Sequence, residues 1–105
     1  MLLATKLKNM LLKAKPDLIV ELKNITINGR KRGCSGFITN PKNGTVVYVN
    51  TEGTFGDIGY LYRYARDNHD YTGYRNHFAK PDDKFVKVVI DALKKTPEQV
   101  GEVRI

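Results

Sequence analysis

Residues 55–78, with the sequence FGDIGYLYRYARDNHDYTGYRNHF, combine aromatic, basic and histidine side chains at high density. The segment holds five of the six tyrosines, three arginines and both histidines. Aromatic rings stack on nucleobases and guanidinium groups bind phosphates, so this combination favours nucleic acid as a partner. The candidate residues are Arg63 and Arg66 for phosphate contact, and Tyr60, Tyr64, Tyr71, Tyr74 and Arg75 for an interaction surface.

The two histidines are the candidates for catalysis. His69 precedes Asp70, and His77 follows among tyrosines. A histidine beside an aspartate can act as a general base, and a tyrosine can act as a nucleophile. The spacing lacks the i, i+4 pair of a helical zinc site. We therefore expect a protein that is not an enzyme and has no metal or other cofactor, with catalysis around His69 and His77 as the outside alternative.

A second basic group lies in residues 29–33, with the sequence GRKRG. Three bases between glycines at a hairpin tip can reach phosphates, and each phosphate that they neutralise releases counterions. The alternative is a solvated turn that keeps the sheet edges soluble. With the lysines of the first helix, the full set of candidate nucleic-acid-binding residues is Lys6, Lys13, Arg30, Lys31, Arg32, Arg63 and Arg66.

The formal charge of +7 is concentrated at the start of the chain. Residues 1–33 carry a net charge of +6, residues 34–66 carry +1, and residues 67–105 carry zero. A field of this sign attracts polyanions such as nucleic acid, acidic lipid or an acidic protein. Solubility alone is the alternative reason for the excess charge.

Length and composition indicate one globular domain over residues 1–105. Of the 105 residues, 41% are hydrophobic and 28% are charged, as in ordinary folded proteins. The single cysteine, Cys34, excludes an intrachain disulfide, so a cytoplasmic location fits best. Lys6 and Lys8 interrupt the apolar start of the chain, which argues against a signal peptide. No apolar run is long enough for a membrane span.

The periodicity predicts an α+β fold. Leu3, Leu7, Met10, Leu11 and Ala14 form the stripe of a helix over residues 2–15, with Leu2 and Leu12 on its back. Strands are predicted at residues 18–27, with a bulge near Asn24, at 34–39 and at 45–50. Turns at 28–29 and 41–44 join them into a three-stranded antiparallel meander.

Two further helices are predicted after the meander. The first covers residues 57–67, opened by a capping box of Thr54 and Asp57. A loop over 68–80 leads to the second, which starts at residues 81–83. A short strand over 103–105 is an optional final element. The predicted order is α-β-β-β-α-α, and helices pack on the sheet.

The predicted helix over 57–67 allows two interpretations of its tyrosines. Tyr62 falls on the apolar stripe, whereas Tyr60 and Tyr64 fall on the far side. Either the loop over 68–80 folds back over them, bringing Tyr71, Tyr74 or Phe78 into contact, or they form an exposed stacking platform. We expect the packed cluster, because a long loop without secondary structure usually packs on something.

Three resemblances bear on family. The order α-β-β-β-α resembles double-stranded-RNA-binding domains, but residues 54–57 are TFGD where that family has a basic KKxAK motif. A three-stranded sheet with a helix also resembles the arm-binding domains of phage integrases. The segments VVYVNTE and YLYRYARDNHDYTGYRNHF resemble small proteins of phages and mobile elements of Gram-positive bacteria. Those proteins mostly lack an assigned activity, so the resemblance implies a genetic setting and no reaction.

Together these patterns predict a small basic protein that binds DNA or RNA through the hairpin tip and the first helix. The alternative is a protein-interaction or inhibitor module of a mobile element, which uses the tyrosine-rich surface to bind another protein. Salt separates the two, because phosphate binding weakens steeply as salt rises. The sequence leaves the oligomeric state open.

Overall fold

The computed structural model describes residues 2–52, 59–80 and 83–102. Within these ranges the five strands form one antiparallel sheet whose spatial order is also the chain order. The α+β class is confirmed, and the predicted three-stranded meander is the first part of a five-stranded one. The elements are α1 (Ala4–Ala14), β1 (Ile19–Ile27), β2 (Arg30–Asn40), β3 (Thr45–Asn50), β4 (Tyr60–Ala65), β5 (His77–Ala79) and α2 (Asp83–Leu93).

The β1–β2 hairpin is the longest ladder of the sheet. Its turn is limited to Asn28 and Gly29, both with positive φ, as two-residue hairpin turns require. The pairing register shifts between Ile25 and Thr26, next to the predicted bulge at Asn24. The placement of residues 29–33 at the hairpin tip therefore needs correction, since Arg30, Lys31 and Arg32 already belong to β2. Their side chains are held on a strand.

Both helices cover the same face of the sheet. Strand residues of one parity, such as Ile38 and Val47, are fully buried there against Leu7 of α1 and Phe85 of α2. Leu7 and Leu11 of the predicted stripe are buried, whereas Ala14 is exposed. Leu2, predicted on the back of the helix, precedes α1 and is completely buried. We call the opposite side of the sheet the open face.

The predicted helix over 57–67 was wrong wherever the structure describes it, because residues 60–65 form β4. Val49 pairs with Tyr62 and Val46 with Ala65 across the β3–β4 ladder. The segment fits a helical period through Leu61, Tyr62 and Ala65, but it also alternates, and tyrosine favours pleated, half-buried surfaces. The segment becomes a strand because it pairs with the apolar strand β3, and a local sequence pattern does not contain that tertiary interaction.

In the strand, the three tyrosines Tyr60, Tyr62 and Tyr64 share the face that the helices cover, since side chains alternate. Arg63 takes the open face. The loop predicted over 68–80 also needs correction, because His77–Ala79 forms β5 and pairs with β4. The predicted capping box at Thr54 and Asp57, the helix start at 81–82 and the strand at 103–105 lie outside the described residues. Among the helices that are described, none has the length and apolar character to cross a membrane.

Candidate functional site

The basic residues of the first third lie on α1 and on the β1–β2 hairpin, and most of them are exposed. Helix α1 packs against β1 and β2. The backbone N–H of Ala4 at its start donates to Asn24 Oδ1 over 2.8 Å. Residues 26–32 at the hairpin end are all exposed. We call this surface the basic edge; its exposed members are Lys6, Lys8, Lys13, Lys23, Arg30, Lys31 and Arg32.

No acidic side chain interrupts the basic hairpin. Residues 22–51 hold five bases and no aspartate or glutamate. The two acids just before this stretch have their own partners. Asp17 forms an ion pair with Lys42 at 3.7 Å, and Glu21 accepts a hydrogen bond from Asn68 Nδ2 at 3.2 Å. The hairpin end therefore carries positive charge with no acid within its own strands.

Arg63 does not belong to this basic surface. It is only 4% exposed, and its guanidinium carbon lies 4.5 Å from the centre of the Tyr48 ring. Its Nη2 donates to the carbonyl oxygen of Asp70 at 2.9 Å. Burial lowers the pKa of Arg63, while Asp70 and then Tyr48 act in the opposite direction. The expectation that Arg63 contacts phosphate was wrong, because this side chain holds the loop after β4 onto the open face.

Asp70 organises that loop from within. Its carboxylate accepts backbone hydrogen bonds from Arg66 at 2.9 Å, Thr72 at 3.0 Å and Gly73 at 2.7 Å. Burial raises the pKa of Asp70, but these donors outweigh burial and hold the pKa well below its ordinary value. The Arg66 guanidinium also pairs with this carboxylate, its Nε lying 3.9 Å from Oδ2. Arg66 is therefore a weaker phosphate candidate than the hairpin bases.

Gly73 lets the loop approach the sheet closely. Its φ is +42°, and a Cβ at this position would lie 2.0 Å from Arg63 Nη1 and 2.5 Å from the carbonyl oxygen of Tyr64. Any side chain here would push the loop away from Arg63. The loop, predicted to lack secondary structure, is thus closely packed on the strand below it.

The proposed interaction surface divides in two. Tyr60 and Tyr64 are 5% and 4% exposed, so the expectation that they are packed is confirmed. The expectation that the loop over 68–80 covers them needs correction, because Tyr60 packs on Phe85 of α2 and Tyr71 packs on Phe37 of the open face. The covering element is α2, since the Tyr64 hydroxyl donates to the carbonyl oxygen of Ala92 at 2.9 Å. Tyr74 is half-buried against the same core. Tyr60 and Tyr64 therefore do not form the exposed stacking platform, because α2 packs on them.

Tyr71 is an exposed aromatic residue of the segment. It is 72% exposed and stands on the open face, with its ring centre 5.2 Å from Phe37 and 6.0 Å from Tyr48. His69 is also exposed nearby, and its backbone N–H donates to Asp67 Oδ1. The rings of this small cluster meet edge to face, with Tyr71 at 77° to Phe37 and 70° to Tyr48, and Tyr71 is the one tyrosine of the expected interaction surface that belongs to it.

A cavity lies on the helix side of β4 and β5. Its volume is about 300 Å³. His77 Nε2 forms a hydrogen bond with Glu102 Oε1, and the Tyr62 and His77 rings stack with centres 5.3 Å apart and planes 25° apart. We call it the His77–Glu102 cavity; its functional side chains are Tyr62, Tyr64, Arg75, His77, Lys95 and Glu102.

Sequence reasoning missed Glu102. It lies 25 residues after His77, and no spacing rule joins them, so only the folded chain brings them together. Burial raises the pKa of both Tyr62 and Tyr64, and the Glu102 carboxylate raises each further. Of the two histidines singled out in the sequence, His77 lines this cavity, whereas His69 lies on the open face of the sheet beside Phe37 and Tyr71.

The described residues contain no candidate metal site. No three histidine, cysteine, aspartate or glutamate side chains there group closely enough to hold an ion. Cys34 is fully buried, and its Sγ lies 3.6 Å from the carbonyl oxygen of Leu2 and 3.5 Å from Thr51 Oγ1. Burial raises the pKa of the Cys34 thiol, although the Thr51 hydrogen bond opposes it. Such a thiol is a packed core group.

No protein-family model, curated protein or solved structure matches this chain. The basic edge and the His77–Glu102 cavity are therefore the features from which a function has to be inferred.

Proposed function

We propose that the protein binds nucleic acid without catalysis, holding the phosphate backbone with the basic edge. The observation that carries the proposal is the exposed run of Arg30, Lys31 and Arg32 on β2, within a stretch of 30 residues without an acid. Each phosphate that these side chains neutralise releases counterions, which drives binding in a manner that does not depend on sequence.

The shape of the hairpin supports this use. Both strands are exposed from Thr26 to Arg32, so the end of the hairpin extends past the packed part of the sheet. Arg32 is the extra residue at the register shift, because Ile25 pairs with Gly33 and Thr26 with Lys31. A bulge increases the local twist and redirects side chains. A twisted two-stranded ribbon with basic side chains fits the major groove of a DNA duplex.

Helix α1 extends the same charged surface. Lys6 and Lys13 are exposed on it, and the contact between Ala4 and Asn24 fixes its start beside β1. Because helix and hairpin hold a fixed relation, their cations can meet phosphates of one strand together. Arg63 and Arg66 take no part in the proposal.

Salt dependence tests the proposal. In the variant Arg30→Ala/Lys31→Ala/Arg32→Ala, affinity for DNA and RNA oligonucleotides should fall at every sequence. The slope of log affinity against log salt should decrease by roughly two to three. Fluorescence anisotropy at four or more salt concentrations measures both quantities.

The matched control is Lys84→Ala/Lys87→Ala/Lys94→Ala, which removes the same charge from two exposed positions on α2 and one just after it. The control should retain most of the parental slope. Equal losses in the two triple variants would mean that net charge alone acts, and a hairpin variant that binds like the parent would refute the proposal.

A second candidate, binding of another protein, draws on Tyr71. A tyrosine that is 72% exposed on a base of Phe37 and Tyr48 resembles the aromatic anchors of protein interfaces. Such an interface would respond little to salt and would be lost in Tyr71→Ala. Partners captured from lysate after nuclease treatment, and released by this substitution, would favour the second candidate over nucleic acid.

A further inference from the structure

One carboxylate oxygen of the His77–Glu102 cavity has an unused capacity to accept a hydrogen bond. Glu102 is 7% exposed, and its Oε1 is paired with His77. Among the described residues, nothing donates to its Oε2, which is buried. Buried polar atoms are nearly always hydrogen-bonded, and an unpartnered one needs an explanation. A ligand with an N–H group would supply the missing donor.

The charges at the mouth of the cavity indicate the charge that the other end of that ligand should carry. Arg75 and Lys95 line the cavity and are exposed, so they lie nearer to solvent than Glu102. Asp91 also lines it, but Lys94 pairs with this carboxylate at 3.6 Å. The site therefore combines an acceptor in its interior with cations at its mouth. A cationic ligand would be repelled at the entrance, whereas an anion with an N–H group at its far end fits.

The aromatic walls and the volume of the cavity restrict the class of ligand further. Tyr62 and Tyr64 line the cavity with His77, and aromatic walls suit a flat ring. About 300 Å³ is at the lower end of the range for small-molecule sites, roughly 300–1,000 Å³. A nucleotide meets all three requirements, because it has a flat base, exocyclic N–H donors on some bases, and a phosphate.

We propose that the His77–Glu102 cavity binds a single nucleotide whose base carries an exocyclic amino group. The amino group donates to Glu102 Oε2, as carboxylates accept from cytosine N4, and the phosphate contacts Arg75 and Lys95. The choice of a nucleotide among anions of this pattern rests on the proposed function. The site would read one base of a bound strand, while the basic edge holds phosphates without regard to sequence.

Mononucleotides test the cavity separately from the basic edge. Titrating the isotope-labelled full chain with cytidine 5′-monophosphate should shift the amide signals of Tyr62, His77 and Glu102 in NMR spectra. Uridine 5′-monophosphate replaces the amino donor by a carbonyl, so it should bind at least about tenfold more weakly. The parent and the hairpin triple variant should give the same result, because a mononucleotide does not need the basic edge.

Two variants localise the contacts. Glu102→Gln should remove the preference for cytidine, and Arg75→Ala should weaken both nucleotides by a similar factor of about three to ten, as loss of one phosphate contact does. Lys84→Ala, an exposed position on α2, is the control and should bind as the parent does. If Glu102→Gln does not fold, Arg75→Ala decides, since unchanged cytidine affinity in that variant overturns the proposal.

The remaining outcomes also decide. Equal affinity for the two nucleotides, no binding, or shifts confined to the basic edge would overturn the cavity proposal. Tighter binding of N-acetyl-arginine amide than of cytidine monophosphate would also overturn it and indicate a peptide site. If mononucleotides do not bind but the salt slope for oligonucleotides is intact, the cavity proposal fails and the proposed function stands. If mononucleotides bind but the hairpin triple variant has the parental salt slope, the cavity proposal stands and the proposed function fails.

Discussion

Thr51 joins two distant segments through one hydroxyl group. It is 1% exposed, its Oγ1 donates to the carbonyl oxygen of Leu2 at 2.7 Å, and the same oxygen accepts from the backbone N–H of Cys34 at 2.9 Å. This pair of bonds holds the segment before α1 against β2. A side chain of similar shape without the hydroxyl would leave the buried N–H of Cys34 unpaired and the Leu2 carbonyl oxygen with only the weak thiol donor of Cys34.

We therefore expect Thr51→Val to lower the free energy of unfolding by about 1–3 kcal/mol, because unpaired buried groups lose their hydration without compensation. Urea denaturation followed by circular dichroism measures the change. Thr51→Ser keeps the hydroxyl and should lose less than the valine variant. A valine variant as stable as the parent would show that water or a shift of the chain replaces the hydroxyl.

Cys34 gives a prediction about reactivity. Burial raises its pKa even though the Thr51 hydrogen bond lowers it, so the thiol stays protonated at neutral pH and has no access to reagents. In the folded protein a disulfide reagent such as Ellman's reagent should release colour only as fast as the protein unfolds. Cys34→Ala should fold, bind as the parent does and lose about 1–2 kcal/mol of stability. Rapid labelling without urea would contradict the placement of this residue.

At the scale of elements, Tyr64 connects β4 to α2. Its ring is buried in the core and its hydroxyl reaches the carbonyl oxygen of Ala92 near the end of that helix. Tyr64→Ala should reduce the free energy of unfolding by roughly 3–4 kcal/mol, as large-to-small changes in a packed core do. Thermal and urea unfolding measure it.

The variant Tyr64→Phe provides the control, since it removes only the hydroxyl and should lose about 1 kcal/mol. If the ring were an exposed platform, the alanine variant would change stability by less than about 0.5 kcal/mol. That result would contradict the position of β4 beneath α2.

The loop between β4 and β5 depends on the charge of Asp70. Because its folded pKa lies below the ordinary value, the carboxylate contributes stability that is complete above the unfolded pKa of about 3.9. That contribution is lost as pH falls below this value towards the folded pKa. Asp70→Asn should be less stable than the parent by about 1–2 kcal/mol at pH 6.

The difference between the parent and Asp70→Asn should narrow steadily from pH 4 to pH 2. Urea unfolding at each pH gives the two curves. Asp67→Asn is a matched control, because Asp67 is exposed and its carboxylate accepts one backbone hydrogen bond from within the loop, from His69. A constant difference at all pH values would mean that the shape of the side chain matters and its charge does not.

The predictability of the elements differs along the chain for a physical reason. Residues 45–50 form a run rich in valine and tyrosine directly after the turn at 41–44, and β3 occupies those same residues. Each of β1, β2 and β3 carries its turn chemistry next to it, so local patterns suffice. In β4 the spacing fits a helix and a strand equally, and the decision comes from its pairing with β3 and its cover by α2.

The residues of the candidate site also differ in how far the sequence could identify them. The bases of the hairpin could be found from sequence, because a run of charges beside a turn is exposed in nearly any fold. Arg63 could not be excluded, since its burial depends on Tyr48 in the neighbouring strand and on the loop that carries Asp70. Glu102 gave no signal, because its importance arises from meeting His77 across the core.

At the scale of the whole molecule, charge and packing occupy different regions. The basic edge lies where α1 meets the β1–β2 hairpin, while α2 covers β3, β4 and β5. Side chains of the β2–β3 turn secure the end of α2, with Asn40 Nδ2 donating to the carbonyl oxygen of Leu93 at 2.8 Å and Asn43 Nδ2 at 3.1 Å. Substitutions on the basic edge should therefore alter binding without unfolding the core.

The spatial order of the strands has a consequence for how the protein forms on the ribosome. Among the described strands, each pairs only with its neighbours in the chain, so every hairpin can close as soon as its second strand has been synthesised. Low sequence separation of contacts favours fast folding. Helix α1 is synthesised first and can cover β1 and β2, but the apolar face of β3, β4 and β5 is buried only once α2 has been synthesised and packs on it. Until then the nascent meander exposes Val47 and Val49, and at this stage it needs protection from aggregation.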